Sequence, residues 1–233
     1  MEKFKIKQIP AVLYGEKTDR LFLFVHGKDG NKEEAEDFAK QVCQKGYQVL
    51  GIDLPGHGER KNEIDHFNPW DVIPELDTVW RFAEKCWGTI GVRANSIGAW
   101  FSMLAFSDRN VEKSLFVSPI LDMERLIQNM MKWAGVSEDE LEEKQEIETS
   151  FGETLSWKYY RYAKEYSFLT GKKEWEKPTA ILYAGQDNLT ERITVDAFCE
   201  KYKCSLTVME NGEHWFHTPE QMDVLHQWER DEI

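Results

Sequence analysis

Short apolar runs alternate with stretches of helical spacing along almost the whole chain, and this alternation constrains the fold most strongly. The apolar runs predict strands at residues 21–25, 47–52, 89–94, 114–117, 180–184 and 206–209. Runs that are apolar on both faces are typical of a sheet that is buried on both sides. Strands that alternate with helices favour parallel pairing through right-handed crossovers. We therefore predict an α/β fold with a mostly parallel central sheet flanked by helices.

The segments around these runs predict further elements. Residues 4–14 should hold one or two short strands broken at Pro10. Helical spacing predicts helices over 32–45, 71–87 and 97–106, and Gly46 is a stop signal after the first of them. Pro74 then falls in the first turn of the second helix, where proline is tolerated.

Residues 119–178 interrupt the alternation, because no strand is predicted there. A first helix follows the apolar spacing from Met123 to Ala134, and Ser137 with Glu140 forms the start signal of a second. Leu155, Tyr159 and Tyr162 have the spacing of a third helix. We predict that 1–118 with 179–233 form the core and that 119–178 form a helical lid or cap insertion.

Composition excludes several classes of protein. With 29 basic and 42 acidic residues, the chain carries a net charge of −13, which argues against nucleic-acid or membrane binding. Charges interrupt the N-terminal MEKFKIKQIP, which therefore lacks the apolar stretch of a signal peptide. The four cysteines have neither zinc-binding nor disulfide-framework spacing. We expect a cytoplasmic protein, a monomer or homodimer, that acts on a small molecule.

The strongest local signal for catalysis is the string ANSIG at residues 94–98, between a predicted strand and a predicted helix. A nucleophile on such a sharp turn needs small neighbours, and Gly98 supplies one, while Ala94 stands where glycine is more usual. The turn would expose the Ser96 hydroxyl, and the Ile97 amide at the helix start would face a developing oxyanion. Taken alone, the string fits a serine in a tight turn better than it fits a nucleophile.

Three other motifs strengthen the catalytic interpretation. The loop HGKDG at 26–30 could bring the Lys28 amide, or else that of Asp29, beside Ser96. Asp187 ends the predicted strand ILYAGQD, and His214 follows the last strand in VMENGEHWF. The order Ser, Asp, His and the location at strand ends fit a nucleophile, an acid and a base. Asp122 is an alternative acid, although it also suits a helix N-cap.

The motifs VHG, DLPGHG, ANSIG, GQD and GEHWF, in this order, resemble the α/β-hydrolase family over essentially the whole chain. The resemblance is to its branch of esterases, lipases and serine-aminopeptidase-like enzymes. It implies an α/β-hydrolase fold with a triad of Ser96, Asp187 and His214. It also implies an oxyanion hole of the Lys28 and Ile97 amides, hydrolysis through an acyl-enzyme, and no metal or organic cofactor. Asp53, in DLPGHG, matches a loop that shapes the site.

Aromatic residues crowd the insertion, and most should pack it onto the sheet. We predict that Trp133, Trp157 and Tyr160 line an acyl or aryl pocket, because binding pockets are mostly apolar. The leading hypothesis is hydrolysis of a small or medium carboxylic ester. The same triad could instead cleave a thioester, a carbon–carbon bond or an N-terminal peptide bond. A third hypothesis is a non-catalytic binding protein with this fold.

Overall fold

A twisted sheet of eight strands forms the centre of the computed structural model, which describes all residues 1–233. The order across the sheet is β1-β2-β4-β3-β5-β6-β9-β10, and β7 and β8 form a separate hairpin. The strands are β1 (Glu2–Ile6), β2 (Ile9–Tyr14), β3 (Arg20–Val25), β4 (Gln48–Ile52), β5 (Thr89–Asn95), β6 (Ser114–Val117), β7 (Glu146–Glu148), β8 (Thr154–Ser156), β9 (Thr179–Ala184) and β10 (Ser205–Met209).

Six of the sheet strands, from β4 to β10 across the sheet, run parallel, whereas β1 and β2 pair antiparallel at one edge. All parallel strands therefore end at the same side, which brings the loops after β3, β5, β9 and β10 together. The prediction of a mostly parallel sheet flanked by helices is confirmed.

Helices cover both faces of the sheet. They are α1 (Ala35–Val42), α2 (Pro69–Ala83), α3 (Ile97–Phe106), α4 (Met123–Ala134), α5 (Glu138–Lys144), α6 (Trp157–Glu165), α7 (Arg192–Tyr202) and α8 (Pro219–Asp231). No helix is both long and apolar enough to cross a membrane.

The side chains of β3 show how one apolar run serves two cores. Leu21, Leu23 and Val25 pack into the larger apolar cluster with α2 and α3. Phe22 and Phe24 point to the opposite face and pack with α1 and α8. This follows from the two-residue period of a strand, which sends alternate side chains to opposite faces.

Two element boundaries, at the β1–β2 turn and at the start of α2, differ from the prediction. The turn between β1 and β2 lies at residues 7–8, and Pro10 stands inside β2, opposite Lys5. Helix α2 begins at Pro69, because the Asn68 side chain accepts the Asp71 amide as N-cap. Pro74 therefore lies inside the helix and not in its first turn, so the structure corrects both predictions.

The insertion, residues 119–178, is not purely helical. The short strands β7 and β8 pair antiparallel, so the prediction that this segment lacks strands is wrong. Leu155 lies in β8, and the third helix begins only at Trp157, where the Ser156 side chain accepts the Tyr159 amide. Each strand has only three residues and carries polar side chains, so neither gives an apolar run.

Aromatic side chains attach α6 of the insertion to α2 and α3 of the core. The Tyr159 ring stacks on Trp100 at 5.8 Å between centroids, and Trp70 meets Tyr159 and Tyr162 edge-on at 5.9 and 6.2 Å. Burial raises the pKa of Tyr159. Such pairs stabilise contacts beyond the area they bury. The packing role predicted for most of the insertion's aromatic residues holds for these two tyrosines.

Candidate active site

Ser96 occupies a strained turn between β5 and α3. Its backbone angles are φ 50° and ψ −124°, a conformation that residues other than glycine rarely adopt. The turn is held from both sides, since the Ser96 amide donates to Val117 at 3.0 Å and its carbonyl accepts from Ile120 at 3.1 Å. The structure thus has the sharp strand-to-helix turn predicted for ANSIG.

Glycine is required at Gly98 because the loop after β3, residues 26–30 (the candidate oxyanion loop), passes directly beneath it. A Cβ on Gly98 would lie 2.4 Å from the His26 carbonyl oxygen, closer than any packing allows. A Cβ on Gly27 would lie 3.2 Å from the Ser96 Cβ. The loop after β3 and the turn after β5 therefore pack against each other through backbone.

The three residues predicted as nucleophile, base and acid lie in one hydrogen-bonded row. Ser96 Oγ is 2.8 Å from His214 Nε2, and His214 Nδ1 is 2.7 Å from Asp187 Oδ2. The Asp187 side chain is fully buried and that of His214 is 18% exposed. A carboxylate at Nδ1 requires the proton there, which leaves Nε2 as the acceptor for the Ser96 hydroxyl.

The second oxygen of Asp187 fixes the carboxylate itself. Asp187 Oδ1 accepts the amides of Leu189 at 2.8 Å and Thr190 at 3.1 Å. The alternative acid has another task, because the Asp122 carboxylate accepts the Arg125 amide at 3.0 Å and caps α4. Of the two candidates, Asp187 is the one placed against His214.

Two backbone amides beside Ser96 donate to no protein acceptor. Ile97 is the first residue of α3, and amides in the first turn of a helix have no partner within it. The Lys28 amide makes no hydrogen bond, and neither does that of Asp29. Lys28 adjoins Gly27, where the loop comes closest to Ser96. Both amides of the predicted donor pair, Lys28 and Ile97, therefore lack an acceptor in the protein.

A buried ion pair supports the oxyanion loop from below. Asp53 accepts the Lys32 ammonium and the Lys32 amide, each at 2.8 Å, and the Glu59 amide at 3.0 Å. Burial acts to raise the pKa of Asp53, but these hydrogen bonds lower it below its ordinary value. Asp53 therefore has the site-shaping position implied by the sequence, and the partnership with Lys32 is new.

His26 connects the loop to β4 and its following turn. Its Nδ1 donates to the Gly27 carbonyl at 2.7 Å, and its Nε2 accepts the Leu54 amide at 3.0 Å. Burial lowers the pKa of His26 to about 4, with the Gly27 carbonyl opposing and the nearby His57 adding to the effect. Only the neutral ring can accept from Leu54, so protonation breaks this brace.

We expect His26 to make the protein less stable in mild acid. Its pKa is about 4 in the folded state against 6.5 in the unfolded chain, so the unfolded state takes up the proton first. The contribution of the neutral His26 ring to the free energy of unfolding is complete above about pH 6.5. It is lost as the pH falls towards 4, which lowers the free energy of unfolding by about 3 kcal/mol in total. Urea unfolding at pH 7 and pH 5 measures it, with His26→Gln as the matched variant. Equal pH slopes in the two proteins would contradict this prediction.

The three predicted pocket residues differ in how deeply they are buried. Trp133 is 54% exposed and meets Phe151 edge-on at 6.3 Å between centroids. Trp157 is half-buried against Tyr160. Tyr160 is itself buried, with its hydroxyl 3.2 Å from the Gln128 amide and 3.2 Å from the Glu138 carboxylate. Its contacts are internal to the insertion, so Tyr160 packs the insertion and does not line an open pocket.

The tip of the β7–β8 hairpin contacts both the core and the insertion. The Glu153 carboxylate pairs with the Lys28 ammonium of the oxyanion loop, and Phe151 contacts Trp133 at the end of α4. The hairpin thus lies beside the loop that carries the candidate oxyanion donor. Sequence patterns did not indicate this contact, because the two residues are far apart in the chain.

A buried cation under the Ser96 turn was also missed. Arg93 lies in β5 and pairs with Glu229 of α8, and each side chain is 2% exposed. An arginine inside an otherwise apolar strand is the sequence signal that could have indicated it. No group of three or more His, Cys, Asp or Glu side chains is arranged to hold a metal ion.

Comparison with solved structures finds the same fold in proteins of low sequence identity. Est1E from Butyrivibrio proteoclasticus, solved with bound ferulic acid, has 20% identity and a TM-score of 0.81, covering 99% of this chain and 97% of its own. Mouse α/β-hydrolase domain-containing protein 10 has 14% identity and a TM-score of 0.78, covering 99% and 96%. The thioesterase domain from the curacin biosynthetic pathway has 13% identity and a TM-score of 0.64, covering 98% of each chain.

Comparison with family models identifies the family to which the chain belongs. No curated protein sequence matches it significantly. The family model described as serine aminopeptidase, S33, matches residues 16–164, which is more than half of the chain and includes the Ser96 turn. With the α/β-hydrolase fold established, the chain belongs to the serine aminopeptidase S33 family of serine hydrolases.

Proposed function

We propose that the protein is a carboxylic-ester hydrolase that works through an acyl-enzyme on Ser96. The observation that carries this proposal is the row from Ser96 through His214 to Asp187, with contacts of 2.8 and 2.7 Å. Such a row pairs a nucleophile with a base whose other nitrogen is held by a carboxylate. The strained backbone at Ser96 and the free amides of Lys28 and Ile97 support the proposal.

Each group then has one role in the reaction. Ser96 Oγ attacks the ester carbonyl while His214 Nε2 takes its proton, and the Lys28 and Ile97 amides stabilise the oxyanion. When the tetrahedral intermediate collapses, His214 returns the proton to the leaving alcohol and the acyl group remains on Ser96. Water activated by His214 attacks the acyl-enzyme in the same way and releases the acid. Asp187 stabilises the imidazolium in both steps.

The insertion is proposed to act as the lid of this site. Its hairpin meets the oxyanion loop through Glu153 and Lys28. The exposed Phe151 at the hairpin tip contacts the exposed Trp133 at the end of α4. Aromatic side chains offer a large apolar contact for an acyl or aryl group. The bound ferulic acid of Est1E supports an aromatic acid as one acyl group to test.

The ester hypothesis has two alternatives, an aminopeptidase and a thioesterase. An aminopeptidase needs carboxylates turned towards the substrate ammonium, whereas the acidic residues on and after α5 are mostly exposed at the surface: Glu138, Asp139, Glu142, Glu143, Glu146 and Glu148. A thioester is the second candidate, favoured by the likeness to the curacin thioesterase domain. Both alternatives use the same triad and differ only in the leaving group and its contacts.

A substrate panel tests the proposal. We expect p-nitrophenyl acetate, butyrate and octanoate, or methyl ferulate, to give higher kcat/KM than p-nitrophenyl laurate, an S-acyl thioester or an amino-acid anilide. The Ser96→Ala protein measures the background rate for each compound. Preferential cleavage of the thioester or of the anilide would replace the ester assignment with that chemistry. Cleavage of none of them would favour a non-catalytic binding protein.

A further inference from the structure

Arg93 is a buried cation whose position is hard to explain by stability alone. Its guanidinium carbon lies 5.6 Å from the Phe24 ring and 5.7 Å from the Phe38 ring, within the apolar layer between the sheet and α1. Its only carboxylate partner at salt-bridge distance is Glu229, at 2.9 Å. A buried ion pair of this kind commonly contributes less than well-packed apolar side chains would.

The pair is also incompletely satisfied. Glu229 Oε2 is buried and has no hydrogen-bond partner. Burial raises the pKa of Glu229, and the Arg93 charge only partly opposes that rise. An unsatisfied buried oxygen costs free energy, so the Arg93–Glu229 pair is a weak source of stability. The other hydrogen bonds of the Arg93 guanidinium therefore become the more important feature.

The remaining donors of Arg93 face the backbone and side chain that precede the nucleophile. Nη1 donates to the Ala94 carbonyl at 3.2 Å and to the side-chain oxygen of Asn95. Asn95 is directly bonded to Ser96 in the chain. Its side-chain rotamer is thereby fixed from below the sheet, with the amide nitrogen left free to donate elsewhere.

Asn95 lies between the Ser96 turn and the oxyanion loop. A Cβ on Gly27 would lie 3.4 Å from the Asn95 carbonyl oxygen and 3.7 Å from its Cβ. Burial raises the pKa of the Glu34 carboxyl, and the nearby Arg93 charge and Asn95 side chain partly oppose that rise. A Cβ on Gly30 would lie 2.7 Å from Glu34 Oε1, so that carboxylate packs against the far end of the loop.

These contacts link the two halves of the oxyanion hole. The Ile97 amide follows the Ser96 turn, whereas the Lys28 amide belongs to the loop between Gly27 and Gly30. We infer that Asn95, held by Arg93 and packed against Gly27, is a positioning residue that sets the loop at the distance the oxyanion requires. The inference rests on the proposed function of Ser96 and adds a residue that touches neither substrate nor reacting atoms.

Asn95→Leu tests the inference, because leucine keeps the size and loses the hydrogen bond with Arg93. We expect kcat for p-nitrophenyl acetate to fall about 10- to 100-fold, part of the 10²- to 10³-fold that a lost oxyanion donor costs. KM and the shape of the pH profile should stay close to wild type. Binding of a trifluoromethyl ketone, which forms an oxyanion when Ser96 Oγ adds to it, should weaken by the same factor as kcat. Equal kcat, or a rise in KM alone, would overturn the inference.

A second pair of variants keeps the test decisive if the leucine variant folds poorly. Asn95→Asp keeps the acceptor for Arg93, but its charge repels the nearby Glu34 carboxylate. Asn95→Asp with Glu34→Gln removes this repulsion. We expect the single Asp variant to lose kcat and the double variant to regain most of it, a coupling that a double-mutant cycle measures. No recovery would contradict the positioning role.

The activity of the wild-type protein distinguishes a failure of the Asn95 inference from a failure of the proposed function. If wild type hydrolyses the ester and Ser96→Ala does not, any failure above concerns Asn95 alone. If wild type has no Ser96-dependent activity, the proposed function itself is wrong and the inference falls with it.

Discussion

Replacing Ser96 by alanine is expected to lower kcat for ester hydrolysis by about 10⁵- to 10⁶-fold, to the small residual rate that substrate binding and the oxyanion donors support. The hydroxyl is 2.8 Å from His214 Nε2, and no other hydroxyl occupies the turn. The remaining oxyanion donors can still bind the substrate but have no attacking oxygen to assist. The measurement is kcat at high enzyme concentration, with thermal unfolding recorded alongside.

Ser107→Ala is the matched control for this change. Ser107 lies at the other end of α3 and is the C-cap of that helix, so its loss removes a hydroxyl without touching the candidate site. Its kcat should stay close to wild type. A Ser96→Ala protein that retains a substantial part of wild-type activity would move the nucleophile elsewhere.

Replacing Asp187 by asparagine is expected to lower kcat by about 10⁴-fold. Asparagine can still accept the Leu189 and Thr190 amides through Oδ1, so the turn survives. Its amide nitrogen, however, would face His214 Nδ1 as a donor, which favours the tautomer that cannot accept from Ser96. Steady-state kinetics at saturating p-nitrophenyl ester measure the loss.

Asp122→Asn decides between the two candidate acids. Asn caps a helix as well as Asp does, so α4 keeps its start and the variant should fold normally. We expect almost unchanged kcat, because the Asp122 carboxylate bonds to Arg125 and not to His214. If Asp122→Asn were the inactive variant and Asp187→Asn the active one, the acid would be Asp122.

The features that sequence predicted well are those set by neighbours along the chain. The strand β3 could be identified from five consecutive apolar residues, and the turn at Ser96 from the small residue Gly98 placed two positions later. Asp187 and His214 could be predicted because parallel strands deliver their following loops to one side of the sheet. Their contacts in the structure agree with that placement.

The features that sequence missed depend on distant or weak signals. The strands β7 and β8 have three residues each and no apolar alternation, so tertiary context decides their pairing. Arg93 and Glu229 are 136 positions apart, and nothing local in α8 indicates a buried carboxylate. Tyr160 was predicted to line a pocket as one of the aromatic residues that crowd the insertion, but its hydroxyl bonds to partners inside the insertion.

Labelling with a fluorophosphonate probe is the most direct test of the central claim that Ser96 is an activated nucleophile. At neutral pH, we expect one adduct per wild-type chain, on the peptide that carries Ser96, and none in Ser96→Ala. Asp187→Asn should label far more slowly than wild type, because His214 then no longer accepts the Ser96 proton. An unlabelled wild-type protein that is folded, or an adduct that persists in Ser96→Ala, would contradict the account.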